Sequence, residues 1–152
     1  MANSPEQKLD VREHQTAALV PELMTSDVQQ SLDFWCNVIG FKVLFARPEE
    51  NFYFLALAGG AQVMIDQRNG DWETGPMERP YGRGINLQIT LRSFDEVLAR
   101  LAERSWPIYD EREHWYRVGE HETGHRELLV QDPDGYLLRL AMHLGMRRTE
   151  HV

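Results

Sequence analysis

His121-Glu-Thr-Gly-His125 is the stretch whose spacing most directly suggests chemistry. It satisfies H-E-x-x-H, which on a helix places two imidazoles on one face for zinc and a carboxylate to polarise bound water. Gly119 precedes it, Gly124 lies inside it, and its surroundings read as strand, turn, strand. On an extended segment positions i and i+4 share a side but lie about 13 Å apart, too far for one zinc. The reading is therefore a solvated hairpin. The other histidines, His14, His114, His143 and His151, show no ligand spacing. Cys36 is the single cysteine, so no intrachain disulfide forms, which fits a reducing compartment. It sits in an apolar helical stretch with no cation close in sequence to lower its pKa, and reads as a small buried hydrophobe.

Flat side chains are the second group. Phe52, Phe54, Trp72, Trp115 and Tyr116 fall on strands or in a connector, where rings can stack on heteroaromatic or cationic groups. Trp35 belongs to a helix that must pack on a sheet and is assigned to core. Trp72 stands in a polar, glycine-rich segment with little core to join, and is either a ligand contact or a loop anchor.

The elements that position these residues follow from periodicity. Residues 18–25 read as a strand, and Asp27-Val-Gln-Gln30 as a helix start in which Asp27 accepts early backbone N–H bonds. Val28, Leu32, Trp35 and Ile39 follow at helical spacing, and Gly40 ends the helix in the left-handed conformation. Residues 41–45, 52–57 and 62–65 are three short strands, with a turn at Ala58-Gly-Gly60. The pattern then repeats: a strand over 84–91, a helix start at Ser93-Phe-Asp-Glu96, and strands over 108–109 with 115–118, 127–131 and 136–141. Asp132-Pro-Asp-Gly135 turns between the last two. Asp27 matches Ser93, Val28 matches Phe94 and Leu32 matches Leu98 at one offset of 66 positions, which grows to 75 for Gly60 and Gly135. Each half is β-α-β-β-β and too small for a core by itself. The expected organisation is a polar arm over 1–16, module one over 17–66, a connector over 67–83, module two over 84–145 and a tail over 146–152.

The net charge is −8, from 16 basic and 24 acidic residues. The basic residues form no run that could track phosphates, which argues against nucleic acid. No apolar stretch approaches the length of a membrane span, and residues 1–15 lack a signal-peptide core, so the expected location is cytoplasmic.

Ser26-Asp27 through Ser31-Leu-Asp-Phe-Trp35 to Ile39-Gly-Phe41, with Asp132-Pro-Asp-Gly-Tyr136-Leu-Leu138, resemble landmarks of the vicinal-oxygen-chelate superfamily of glyoxalases, bleomycin-resistance proteins and extradiol dioxygenases. Gly60-Ala-Gln-Val-Met64, Trp72-x-Thr-Gly75-Pro76, the run Arg79 to Asn86 and Trp115-Tyr-Arg117 resemble its bleomycin-resistance-like members. The resemblance implies an α+β fold in which two tandem βαβββ modules form a cup-shaped curved mixed sheet with helices outside.

In metal-dependent members four inward side chains from the first and last strand of each module hold the ion. On this chain those positions are placed at Val20, Met64, Asn86 and Arg139. Val and Met offer no hard donor, Asn is weak, and Arg repels a cation, whereas a catalytic site needs about three good ligands. The expectation is no metal, no cofactor and no catalytic residue. Alternation adds Glu22 and Gln88 to the same faces. The expected ligand-binding set is Glu22, Phe52, Phe54, Met64, Trp72, Asn86, Gln88, Trp115, Tyr116, Arg117 and Arg139, though Arg139 and Glu22 could instead be a buried ion pair that only shapes the cup. The resemblance implies a homodimer conferring antibiotic resistance by sequestering a bleomycin-like molecule in clefts between subunits. The alternatives are a metal-dependent glyoxalase- or dioxygenase-like enzyme, and a structural or regulatory dimer with an empty cup.

Overall fold

The computed structural model describes residues 16–149. The chain forms two compact units that divide at Gly75 and Pro76, inside the expected connector. No helix among the described residues is long and apolar enough to cross a membrane.

The first unit runs β1 (Glu22–Thr25), α1 (Val28–Leu32), β2 (Lys42–Arg47), β3 (Phe52–Ala56) and β4 (Gln62–Gln67). Asp27 caps α1 by accepting from the backbone N–H groups of Gln29 and Gln30, and Gln67 takes the N–H of Val28 through its side chain. After Leu32 the helix widens into a π-helix over Asp33–Ile39. Its last turn closes where Gly40 and Phe41 both donate to the Trp35 carbonyl, and Gly40 takes φ 109°. The widening buries Phe34, Trp35, Val38 and Ile39 together, with Trp35 edge-on to Phe41 at 5.3 Å. The strand order is β1-β4-β3-β2, with β1 parallel to β4 and the other pairs antiparallel.

The second unit repeats this order with β5 (Asn86–Thr90), α2 (Asp95–Glu103), β6 (Asp110–Val118), β7 (His121–Gln131) and β8 (Leu137–Arg148), arranged β5-β8-β7-β6 with β5 parallel to β8. Ser93 Oγ accepts the Asp95 N–H at the start of α2, where the capping pattern places it. The stretch between the expected 108–109 and 115–118 is itself strand, so β6 is continuous from Asp110 to Val118, and β7 begins six residues before the expected 127–131. β6, β7 and β8 continue together as a three-stranded arm, and β8 runs beyond residue 145 to Arg148. The fold is thus α+β, built of two four-stranded mixed sheets in successive βαβββ modules.

Candidate functional site

Alternation along a strand assigns each side chain to one sheet face, and the register says which neighbours it meets. In the first unit Glu22 stands opposite Met64 across the parallel β1–β4 pair, and Asp66 faces Phe52 across β3–β4. The expected partner of Met64 was Val20. That residue precedes β1 and packs instead with Phe45 and Met64 against a cluster of Leu44, Phe52, Phe54 and Ala56. Phe52 and Phe54, expected as pocket walls, are buried members of this cluster, and Phe45 stacks on Phe54 at 4.8 Å. The Arg47 guanidinium lies 4.0 Å from the Phe52 ring centre.

Glu22 and Asp66 are neighbouring carboxyls that influence each other's titration. Both carboxyls titrate above their ordinary values, chiefly because partial burial penalises the charged forms. The neighbouring Asp66 charge raises Glu22 further, whereas Arg47 draws both down.

In the second unit Gln88 stands opposite Arg139, whereas Asn86 pairs with Leu137. The residue directly beside Arg139 in the ladder is therefore Gln88, as Glu22 is beside Met64, with Asn86 two residues earlier on β5 and Val20 two residues before Glu22. Arg139 donates to Gln88 Oε1 at 2.8 Å and to Glu127 Oε1 at 3.4 Å, while its Nε is buried without an acceptor. Tyr116 Oη donates to the same Glu127 oxygen at 2.8 Å, which raises the phenol above its usual range. The carboxylate paired with Arg139 is thus Glu127, only 2% exposed, and not Glu22. A buried carboxylate with two donors on one oxygen is satisfied; an isolated one would not persist.

Beyond Tyr116 the same face carries three histidines in register across neighbouring strands, His114 opposite His125 and His125 opposite His143. Their rings and that of Tyr116 form a row, with centres 4.3 Å apart for His114–Tyr116, 5.8 Å for Tyr116–His125 and 5.6 Å for His125–His143. His143 Nε2 shares a hydrogen bond with Thr123 Oγ1 at 3.0 Å. His121 to His125 lies wholly on β7, an extended strand, so the H-E-x-x-H pattern lacks the helix it requires.

Trp115 and Arg117 point to the opposite face from Tyr116. Trp115 covers Gly124, sits under the Arg147 guanidinium at 4.0 Å and donates its ring N–H to Glu113. Arg117 donates to the Gly119 carbonyl. Trp72 lies in a turn of the first unit at φ 62° with 74% of its surface exposed. The structure thus brings together Gln88, Arg139 and Tyr116, adds Glu127 and the histidine row, and sets Trp115 and Arg117 apart from them. Asp66 and Glu127 escaped the sequence reading; alternation from Met64 reaches the first, and no local pattern marks the second.

The metal of the fold family does not fit this chain. At the positions the resemblance assigns to such an ion, the first unit offers Val20 and Met64 and the second offers Asn86 and a cationic Arg139. Neither pair is a donor set for a divalent ion. Among the described residues no three His, Cys, Asp or Glu side chains converge to hold a metal.

Two successive βαβββ modules, each with its first strand parallel to its last, define the vicinal-oxygen-chelate architecture. The chain belongs to the Glyoxalase/Bleomycin resistance protein/Dioxygenase superfamily, whose family model matches residues 14–140. Solved structures share the fold at low identity. A glyoxylase/bleomycin resistance protein/dioxygenase domain from Frankia sp. EAN1pec aligns with a TM-score of 0.62 at 17% identity, covering 91% of this chain and 96% of that one. TioX from Micromonospora sp. ML1 aligns with a TM-score of 0.61 at 21% identity, covering 85% and 100%. A superfamily member from Alicyclobacillus acidocaldarius aligns with a TM-score of 0.59 at 18% identity, covering 88% and 96%. No curated protein matches the chain.

Proposed function

We propose that this chain is a metal-free small-molecule-binding protein of the bleomycin-resistance type, which sequesters a bleomycin-like antibiotic as a homodimer and catalyses no reaction. The observation that carries the reading is the chemistry of the register positions: Met64 beside Glu22, and Arg139 beside Gln88. An arginine locked between an amide and a buried carboxylate favours holding a ligand over polarising one through a metal. The polar face of the second unit and the carboxyl pair of the first supply donors, acceptors and both charges, as an amide-rich, charged molecule requires. Sequestration of this kind works by mass action and needs affinity rather than turnover.

Titration of the tryptophan fluorescence with metal-free bleomycin tests the proposal. Saturable quenching at tens of micromolar or below, with the drug recovered intact, is the expected result. Absence of quenching removes the antibiotic. Turnover that depends on an added metal ion transfers the chain to the glyoxalase- or dioxygenase-like enzymes.

A further inference from the structure

We propose that the second unit's Gln88–Arg139–Tyr116 face is a subsite for a flat conjugated group carrying an anionic oxygen, with the oxygen on Arg139 and the ring on the Tyr116–histidine row. This deepens the function proposed above and rests on its premise that the chain binds a small molecule. It also gives this face a polarity opposite to that of an acidic pocket for a cationic drug tail.

Three features carry it. First, the guanidinium is oriented yet under-satisfied. Gln88 and Glu127 fix its plane, but the Glu127 contact is long at 3.4 Å and Nε has no acceptor. Its side chain is 31% exposed, so solvent-side donors remain within reach of an incoming oxygen. A planar fork of donors matches a carboxylate or sulfonate better than a single carbonyl. Secondly, Tyr116 donates its hydroxyl hydrogen bond to Glu127, which fixes the phenol between His114, tilted at 51°, and His125, edge-on at 61°. Thirdly, the ring centres from His114 through Tyr116 and His125 to His143 step by 4.3–5.8 Å, the spacing of contiguous aromatic packing. They sit on strands and are therefore held by the sheet, whereas an ordinary loop aromatic would have to be ordered on binding.

The test uses 2-naphthoate as probe, with 2-naphthylmethylammonium and cyclohexanecarboxylate as controls. Affinities come from calorimetry, and the site from NMR signals of the Arg139 Nε–H and the histidine rings in the full chain. 2-Naphthoate binds about tenfold tighter than either control, as expected for a charge-assisted hydrogen bond combined with stacking. Arg139→Gln lowers its affinity about tenfold, and Arg139→Lys recovers only part of the loss. Preference for the ammonium probe, absence of 2-naphthoate binding at millimolar concentration, or undiminished binding in natively folded Arg139→Gln overturns the subsite. Should Arg139→Gln fail to fold, the wild-type signals decide: perturbation at Arg139 and the histidine rings supports the assignment, and perturbation confined elsewhere overturns it. Saturable bleomycin quenching without 2-naphthoate binding leaves the functional proposal standing and removes the subsite. Binding of 2-naphthoate without bleomycin does the reverse.

Discussion

Two neighbouring, partly buried carboxyls have a measurable consequence. Glu22 and Asp66 both hold their proton more tightly in the folded chain than their ordinary values of 4.5 and 3.8 imply. A folded state that binds more protons than the unfolded state loses stability as pH rises through that interval, and regains it on acidification toward the ordinary values. Glu22→Gln mimics the protonated partner. It is expected to melt at or above the wild-type temperature at neutral pH, with the difference closing as the pH approaches the ordinary carboxyl range. A variant that melts well below wild type at neutral pH contradicts the upward shift of Glu22. Cys36 makes a second case: burial pushes its thiol up to about 11. The native chain should therefore react with a disulfide reagent far more slowly than the urea-unfolded chain, and equal rates would contradict that environment. The ionisable pairs were poorly legible in the sequence. Glu127 precedes the apolar run Leu128-Leu-Val130, and its partners Tyr116 and Arg139 lie 11 and 12 positions away. Only strand pairing brings them together.

Strand and helix interiors were legible because burial imposes a period, but their ends and widths were not. Trp35 and Ile39 lie four apart, which suits an α-helix, yet the chain takes a π-helix there. Apolar residues at adjacent positions, Phe34-Trp35 and Val38-Ile39, satisfy either winding. The full length of the arm formed by β6, β7 and β8 is hard to read because charged residues and histidines interrupt the few apolar ones, such as Trp115, Val118, Leu144 and Met146, and break the alternation. In the first unit the corresponding strands have 6, 5 and 6 residues; in the second they have 9, 11 and 12. The arm is held by Trp115 lying over Gly124, where an added Cβ would stand 2.6 Å from the indole carbons. Gly124→Ala must displace that ring from under Arg147. It should lower the stability measured by urea unfolding by about 1–3 kcal/mol and shift the tryptophan emission. An unchanged midpoint and spectrum would show that the indole does not hold the arm.

At the scale of the molecule, the doubled module was legible from its repeating offset, and the same offset concealed the register. Val20 and Asn86 are separated by 66 positions, and so are Glu22 and Gln88. The cross-strand register sets Glu22 beside Met64 and Gln88 beside Arg139. In either frame a thioether and an arginine stand among the four side chains, poor company for a divalent ion, and the proposal that the chain binds without a metal rests on that. The decisive measurement is the metal content of the chain, purified without a histidine tag and dialysed against metal-free buffer. Well below one transition ion per chain is the result the account predicts. One zinc, nickel, manganese or iron per chain, lost on Glu22→Gln, would contradict it.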